Sequence, residues 1–144
     1  MPITRLVRRP CSGFPRLIAY TTPSTHSWRS SLDASLRRKR LEQEGNDPTV
    51  ALLLLDFILG AIASTDPVGD LLESIRGAQE ATRNRGGQLC VVASVCGTDA
   101  DAQDLQAQTH ALQAAGVLVF PSNAGAATFC REAMRLLAER KEGR

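Results

Sequence analysis

The stretch Val91-Val92-Ala93-Ser94-Val95-Cys96-Gly97-Thr98-Asp99 decides the fold. Its first half is small, β-branched and almost wholly apolar, the composition of a strand covered on both faces. Small residues then turn the chain, and Asp99, Asp101 and Asp104 follow where a helix begins. Acidic side chains suit the positive end of a helix, so Thr98 or Asp99 reads as its cap. Leu105, Thr109 and Leu112 would face inward, and Gly116 would end the helix.

The same strand-turn-helix pattern repeats on either side. Val50 to Leu55 is a short apolar run that ends in the turn Asp56…Gly60. Asp66 can cap the free amides of the next helix, with Pro67 in its first position. Val68, Leu71, Leu72, Ile75 and Ala78 then mark one buried face, and Gly86-Gly87 closes the helix. Val117 to Phe120 runs into Pro121-Ser122-Asn123, where Ser122 caps a last helix. The buried stripe of that helix reads as Ala126, Ala127, Cys130, Met134 and Leu137. Upstream, Leu32, Leu36 and Leu41 suggest a helix stopped by Gly45-Asn46-Asp47-Pro48. Its basic run Arg37-Arg38-Lys39-Arg40 reads first as a solvated face, with subunit contact or RNA binding as lesser options, and Pro15 to Tyr20 can supply a short edge strand. Strands alternating with helices predict an α/β fold: a doubly wound parallel sheet of three or four strands with helices on both faces. Right-handed crossovers put the three turns on one edge, where such sheets bind ligands.

Bulk composition narrows the function classes. A chain of 144 residues fits one domain, and a formal net charge of +2 gives no field that marks a nucleic-acid or membrane partner. Aromatics at 4% disfavour a base-stacking surface. Cys11, Cys90, Cys96 and Cys130 contain no C-x-x-C pair, and two histidines offer little for zinc, so no metal site is expected. Reduced thiols suit a cytoplasmic protein. Val50 to Ala63 is interrupted by Asp56 and is shorter than the roughly 20 apolar residues of a membrane span. Residues 1–32 hold no Asp or Glu but carry Arg5, Arg8, Arg9, Arg16 and Arg29. They read as a poorly defined basic extension ahead of a domain at 33–144. Their composition fits a transit peptide, a disordered extension, or a start or frame that yields non-native residues.

Each turn carries candidate chemistry beside an ordinary structural role. Cys96-Gly97-Thr98 can present amides and a hydroxyl to phosphate or carboxylate oxygens, or Thr98 can merely cap. Asp99, Asp101 and Asp104 would repel an anion there. Cys96 is a nucleophile beside those amides or a small residue at a strand end. Asp56 is a base, a metal ligand, a phosphoacceptor or a bond acceptor for turn amides. A response-regulator phosphoacceptor would need an earlier acidic pair and a late Lys, and Phe120-Pro121 stands where the Lys belongs. No cobalamin D-x-H-x-x-G, dinucleotide G-x-G-x-x-G or P-loop pattern occurs. His110 lies within a predicted helix, where a catalytic role is not expected.

Together, Leu53-Leu54-Leu55-Asp56…Leu59-Gly60, Asp66-Pro67, Val91-Val92-Ala93-Ser94-Val95-Cys96-Gly97-Thr98 and Pro121-Ser122-Asn123-Ala124 resemble the C-terminal part of FdrA-family proteins, relatives of succinyl-CoA synthetases. Asp33…Leu36-Arg37…Arg40-Leu41 resembles the family's D-P-x-L-R-x-x-R-L helix. The resemblance covers roughly residues 33–138. More distantly, Gly60-Ala61-Ile62…Asp66 is similar to the G-G-I-x-x-x-D turn of the synthetase ligase domain, whose fold is flavodoxin-like. One helix of that domain points its N-terminus at a phosphohistidine on the partner subunit, and the resemblance gives that place to the helix at Asp66. Departures are clear: no counterpart of the active histidine exists, Ala63-Ser64-Thr65-Asp66-Pro67 replaces A-H-P-D-P, and Ala102 replaces a proline often found before Gln103.

The resemblance implies acyl-CoA synthetase-like chemistry, or a subunit role in oxamate carbamoyl transfer during purine breakdown. It implies a small anionic substrate at Asp56, Gly60, Asp66, Cys96, Gly97, Thr98, Ser122 and Asn123, with no catalytic residue identified. It implies no cofactor on this domain alone; CoA and a nucleotide would belong to the full assembly, with partner subunits or an N-terminal CoA-binding domain that this sequence lacks. On that reading the chain is truncated and inactive alone. A non-catalytic flavodoxin-like interaction domain that docks a larger complex is the alternative.

Overall fold

The computed structural model describes residues 16–20, 34–61 and 63–142. The reading of the basic N-terminal extension, Leu32, Asp33 and Ile62 falls outside them. Four strands, β1 (Arg16–Tyr20), β2 (Val50–Ile58), β3 (Cys90–Cys96) and β4 (Leu118–Phe120), form one sheet in the order β1-β2-β3-β4. Every pairing is parallel. The helices are α1 (Ala34–Gly45), α2 (Gly69–Asn84), α3 (Leu105–Ala114) and α4 (Asn123–Glu142). The fold is α/β and flavodoxin-like, with helices on both faces of the sheet.

Strand order explains which helix lies where. Consecutive parallel strands joined by right-handed crossovers send every connecting helix to the same face. Leu41 of α1, Leu71, Ile75 and Ala78 of α2 and Leu112 of α3 accordingly share one core with Leu53, Leu55, Phe57, Val91, Ala93 and Val95. The last helix covers the other face, where Ala126 and Cys130 meet Leu52, Leu54 and Val92. Side-chain alternation thus splits the leucine run of β2 between two cores, and each fully buried Leu contributes about 1.5–3 kcal/mol.

One strand boundary and the faces of two helices differ from the sequence reading. β2 continues past Leu55 to Ile58, because Asp56 pairs with Ser94 across the ladder and its Oδ1 accepts a 2.7 Å bond from the Ser94 hydroxyl. Asp56 therefore bonds a neighbouring strand, not turn amides. In α4, Ala126 and Cys130 are buried, but Ala127 and Leu137 are exposed, since one helix over a narrow sheet needs only a thin apolar seam. Leu36 of α1 is exposed as well.

Candidate functional site

Register brings the three expected turns to one edge. Ile58 lies opposite Cys96, and Ser94 lies opposite Phe120. Gly60, Gly97 and Ser122 therefore leave the sheet side by side at its carboxyl end. The ladder runs one step further, with the Leu59 amide donating to the Cys96 carbonyl at 2.8 Å. Gly97 permits this approach: a Cβ there would lie 2.8 Å from Leu59 Cδ1 and 2.9 Å from Leu59 Cβ. Gly60 has φ +130°, a conformation that side-chain-bearing residues rarely adopt.

A glutamine locks two of these turns together. Gln103 Nε2 donates to the carbonyls of Gly60 (2.8 Å) and Ser64 (3.0 Å), and its Oε1 accepts from the Gly60 amide at 3.3 Å. The Gly60 loop is thereby held against the loop that follows β3.

That second loop corrects the expected cap of α3. Neither Thr98 nor Asp99 starts the helix. Thr98 turns back on Asp101, whose Oδ2 accepts from the Thr98 amide at 2.6 Å and the Thr98 hydroxyl at 3.2 Å. The chain must cross the Gly60 loop before helix can begin, and Asp104 becomes the cap. Its Oδ1 accepts from the amides of Gln106 and Ala107, both at 3.1 Å. Asp104 has φ +57°, a conformation short polar residues tolerate best. Asp104→Ala is expected to cost about 1–2 kcal/mol, while Asp104→Asn keeps most of the stability; urea denaturation measures both.

The helix starts differ in what they leave open. At α2, Asp66 caps as expected: its Oδ1 accepts from Gly69 at 2.9 Å and its carbonyl from Asp70 at 3.0 Å. Gln108 completes the set, accepting from the Val68 amide and donating to Asp66 Oδ1, each at 2.9 Å. The α2 amides are therefore already engaged, and an anion there would have to displace Asp66. At α4, Ser122 caps through its hydroxyl, which accepts from Gly125 at 3.1 Å. Among the described residues the amides of Asn123 and Ala124 carry no hydrogen bond, nor does that of Leu105 at α3, so α4 offers two open first amides at this edge. Asn123 itself is exposed.

Four contributors were not foreseen: Ser94, Gln103, Gln108 and Arg37. Arg37 leaves the basic run and lies over Phe57, its guanidinium carbon 5.2 Å from the ring centroid. Its Nη2 donates to the Asp56 carbonyl at 3.0 Å. Burial pulls its pKa below the ordinary guanidinium value, and the Asp56 carboxylate offsets this in part. Gln108 is buried on the face that carries Leu112, where Thr109 had been expected to share the inward positions. His110 is exposed on α3. Among the described residues no group of three or more His, Cys, Asp or Glu could hold a metal ion, and no helix is long and apolar enough to cross a membrane.

The CoA-ligase family model matches residues 19–128. The chain belongs to the CoA-ligase family. It is also 37% identical over 101 residues to the uncharacterized protein YahF of Escherichia coli (strain K12), covering 70% of this chain. The match spans only 20% of YahF, so the chain corresponds to about a fifth of that relative. Among solved structures, a Rubisco-like protein from Rhodopseudomonas palustris aligns with a TM-score of 0.49 and 20% identity, over 75% of this chain and 29% of that one. At that level it bears on neither site nor function.

The thiols of this CoA-ligase domain have separate environments. Cys96 at the edge is exposed, Cys90 is half-buried and Cys130 is buried. Burial raises the Cys90 pKa. Cys130 is pushed from 9.0 up to about 11, first by burial and then by nearby Cys90. The folded protein thus holds this proton more tightly than the unfolded chain. Its stabilising effect is complete below pH 9.0 and is lost as pH climbs toward 11. The melting temperature is expected to fall across that window, with a flatter fall in Cys130→Ala. Among the described cysteines, iodoacetamide followed by peptide mass mapping is expected to label Cys96 first and Cys130 last.

Proposed function

We propose that this CoA-ligase domain holds the phosphoryl or acyl end of a small anionic substrate at the carboxyl edge of its sheet. The larger assembly would be an FdrA-like acyl-CoA synthetase or an oxamate carbamoyltransferase subunit. The observation that supports the reading is the pairing of a rigid rim, Gly60 clamped by Gln103 beside Gly97, with the open first amides of α4. Fixed amides that face one point stabilise negative charge without reorganising. On this reading Gly60, Gly97, Thr98, Ser122 and Asn123 shape the rim, Asp56 and Asp66 brace it, and Cys96 borders it.

The chemical step would come from elsewhere. The edge offers no convergent nucleophile, base and lysine among its described residues, so a CoA-binding domain or partner subunit would supply the reacting groups, CoA and nucleotide. Calorimetric titration of the chain with CoA, carbamoyl phosphate and ADP, alone and with partner subunits, tests this. Salt-sensitive binding of carbamoyl phosphate is expected; no binding of any of the three under either condition overturns the reading.

A non-catalytic docking domain is favoured by one different observation. Ile58 and Leu118 on the strands are 42% and 45% exposed, unusual for side chains of a parallel sheet. A monomer that retains no partner after pull-down from its native cell, with mass measurement, ends that alternative.

A further inference from the structure

We propose that Arg37 is the residue of this domain that recognises the oxyanion, whether carboxylate or phosphoryl, at the carboxyl edge of the sheet. The inference rests on the reading of that edge as an anion site. It begins with placement. A crossover helix starts at the carboxyl edge of a parallel sheet and runs back, and Arg37 sits in the first described turn of α1. Its bond to the Asp56 carbonyl ties the guanidinium to the end of β2, two residues before Ile58 closes the strand. The Phe57 ring lies beneath it.

What Arg37 lacks is as telling as what it holds. Some arginines pair with carboxylates: Arg40 lies 2.9 Å from Glu44, and Arg135 pairs with Glu132 and Glu139, whereas Arg85, like Arg37, bonds a backbone carbonyl. Among the described residues Arg37 forms no salt bridge, and one of its five N–H donors is used, on a neutral carbonyl. No buried side-chain nitrogen is left without a partner, so its remaining donors face accessible space. The Asp56 carboxylate offsets the burial of this cation only in part, so an anion at the edge would complete its neutralisation.

The surrounding carboxylates sharpen the requirement. Asp66, Asp101 and Asp104 all accept bonds from backbone amides, and Asp56 accepts from Ser94. They hold the loops in shape but would repel an incoming anion. A fixed guanidinium offsets that repulsion, and its planar fork fits two oxygens of a carboxylate or phosphate.

The experiment uses the full chain, with inorganic phosphate and malonate as probes, titrated at low ionic strength by calorimetry. Wild type and Arg38→Gln, a change at an exposed neighbour, are expected to bind alike. Arg37→Gln is expected to bind about tenfold more weakly or worse, and Arg37→Lys to fall between. Tighter phosphate binding assigns a phosphoryl group, and tighter malonate binding a carboxylate. Wild-type affinity in Arg37→Gln overturns the role of Arg37 and leaves the edge reading intact. Failure of wild type to bind either probe overturns both. Should Arg37→Gln not fold, phenylglyoxal labelling of wild type replaces it: phosphate is expected to protect Arg37 but not Arg38, and equal labelling with and without phosphate overturns the inference.

Discussion

Truncation of Phe57 to alanine is expected to lower the unfolding free energy by about 3–5 kcal/mol. The ring is fully buried where the end of β2 meets the main helix-covered core. Its loss removes a large apolar group and leaves a cavity that the paired β3 strand and the overlying helices keep from closing. It also removes the surface on which Arg37 rests, a contact worth about 0.5–2 kcal/mol by itself. Phe57→Leu separates the two effects. It keeps most of the volume, so its cost is expected to stay below about 1.5 kcal/mol, while the support for Arg37 is still lost. Urea denaturation with an unchanged m-value measures both variants. A Phe57→Ala cost under 1 kcal/mol would show that the ring is not packed as described.

Gly45→Ala is expected to cost about 1–3 kcal/mol, although alanine ordinarily strengthens a helix. The reason is the approach of α1 to α2. A Cβ at Gly45 would lie 2.6 Å from Ala78 Cβ and 2.7 Å from Ala78 Cα, about 1 Å short of ordinary carbon contact. Backbone, not a flexible side chain, stands in the way. Separating the helices would also strain the cap at the end of α1, where the Gly45 carbonyl accepts from Arg85 Nη2 at 2.6 Å and from Thr82 at 3.3 Å. Ala78→Gly in the same chain is expected to restore part of the loss, because it removes one of the two clashing atoms. A stable Gly45→Ala with no coupling to Ala78→Gly would contradict the close crossing.

The parallel α/β architecture was legible because β2 and β3 read as strands buried on both faces and because glycines and caps punctuate the helices between them. Asp66-Pro67 and Ser122 start turns of helix as their chemistry dictates. Polar residues inside elements were harder. Asp56 looks like a strand end, yet it lies within β2 because Ser94 answers it from the next strand, a pairing that only register reveals. Thr98 and Asp99 carry good capping chemistry, but tertiary contact between the two loops passed the cap to Asp104.

Arg37 was hidden by its neighbours. Four basic residues in a row suggest solvent on every side, but Arg37 and Leu41 are four apart and share one helix face. Leu41 is buried, so that spacing was the available signal. Gln108 and Leu112 give the same lesson on α3. Both cases show how a long polar side chain can follow an apolar stripe inward when a carbonyl or carboxylate waits at its end.

The account depends most on the carboxyl edge acting as a single anion site. Titration of inorganic phosphate into the 15N-labelled chain, followed residue by residue by NMR, tests this most directly. Saturable shifts concentrated at Gly60, Gly97, Thr98, Asn123 and Ala124 are expected, with Gly86 and Gly116 at the opposite end of the sheet unmoved. Shifts confined to that opposite end, or none at the carboxyl edge at saturating phosphate, would contradict it.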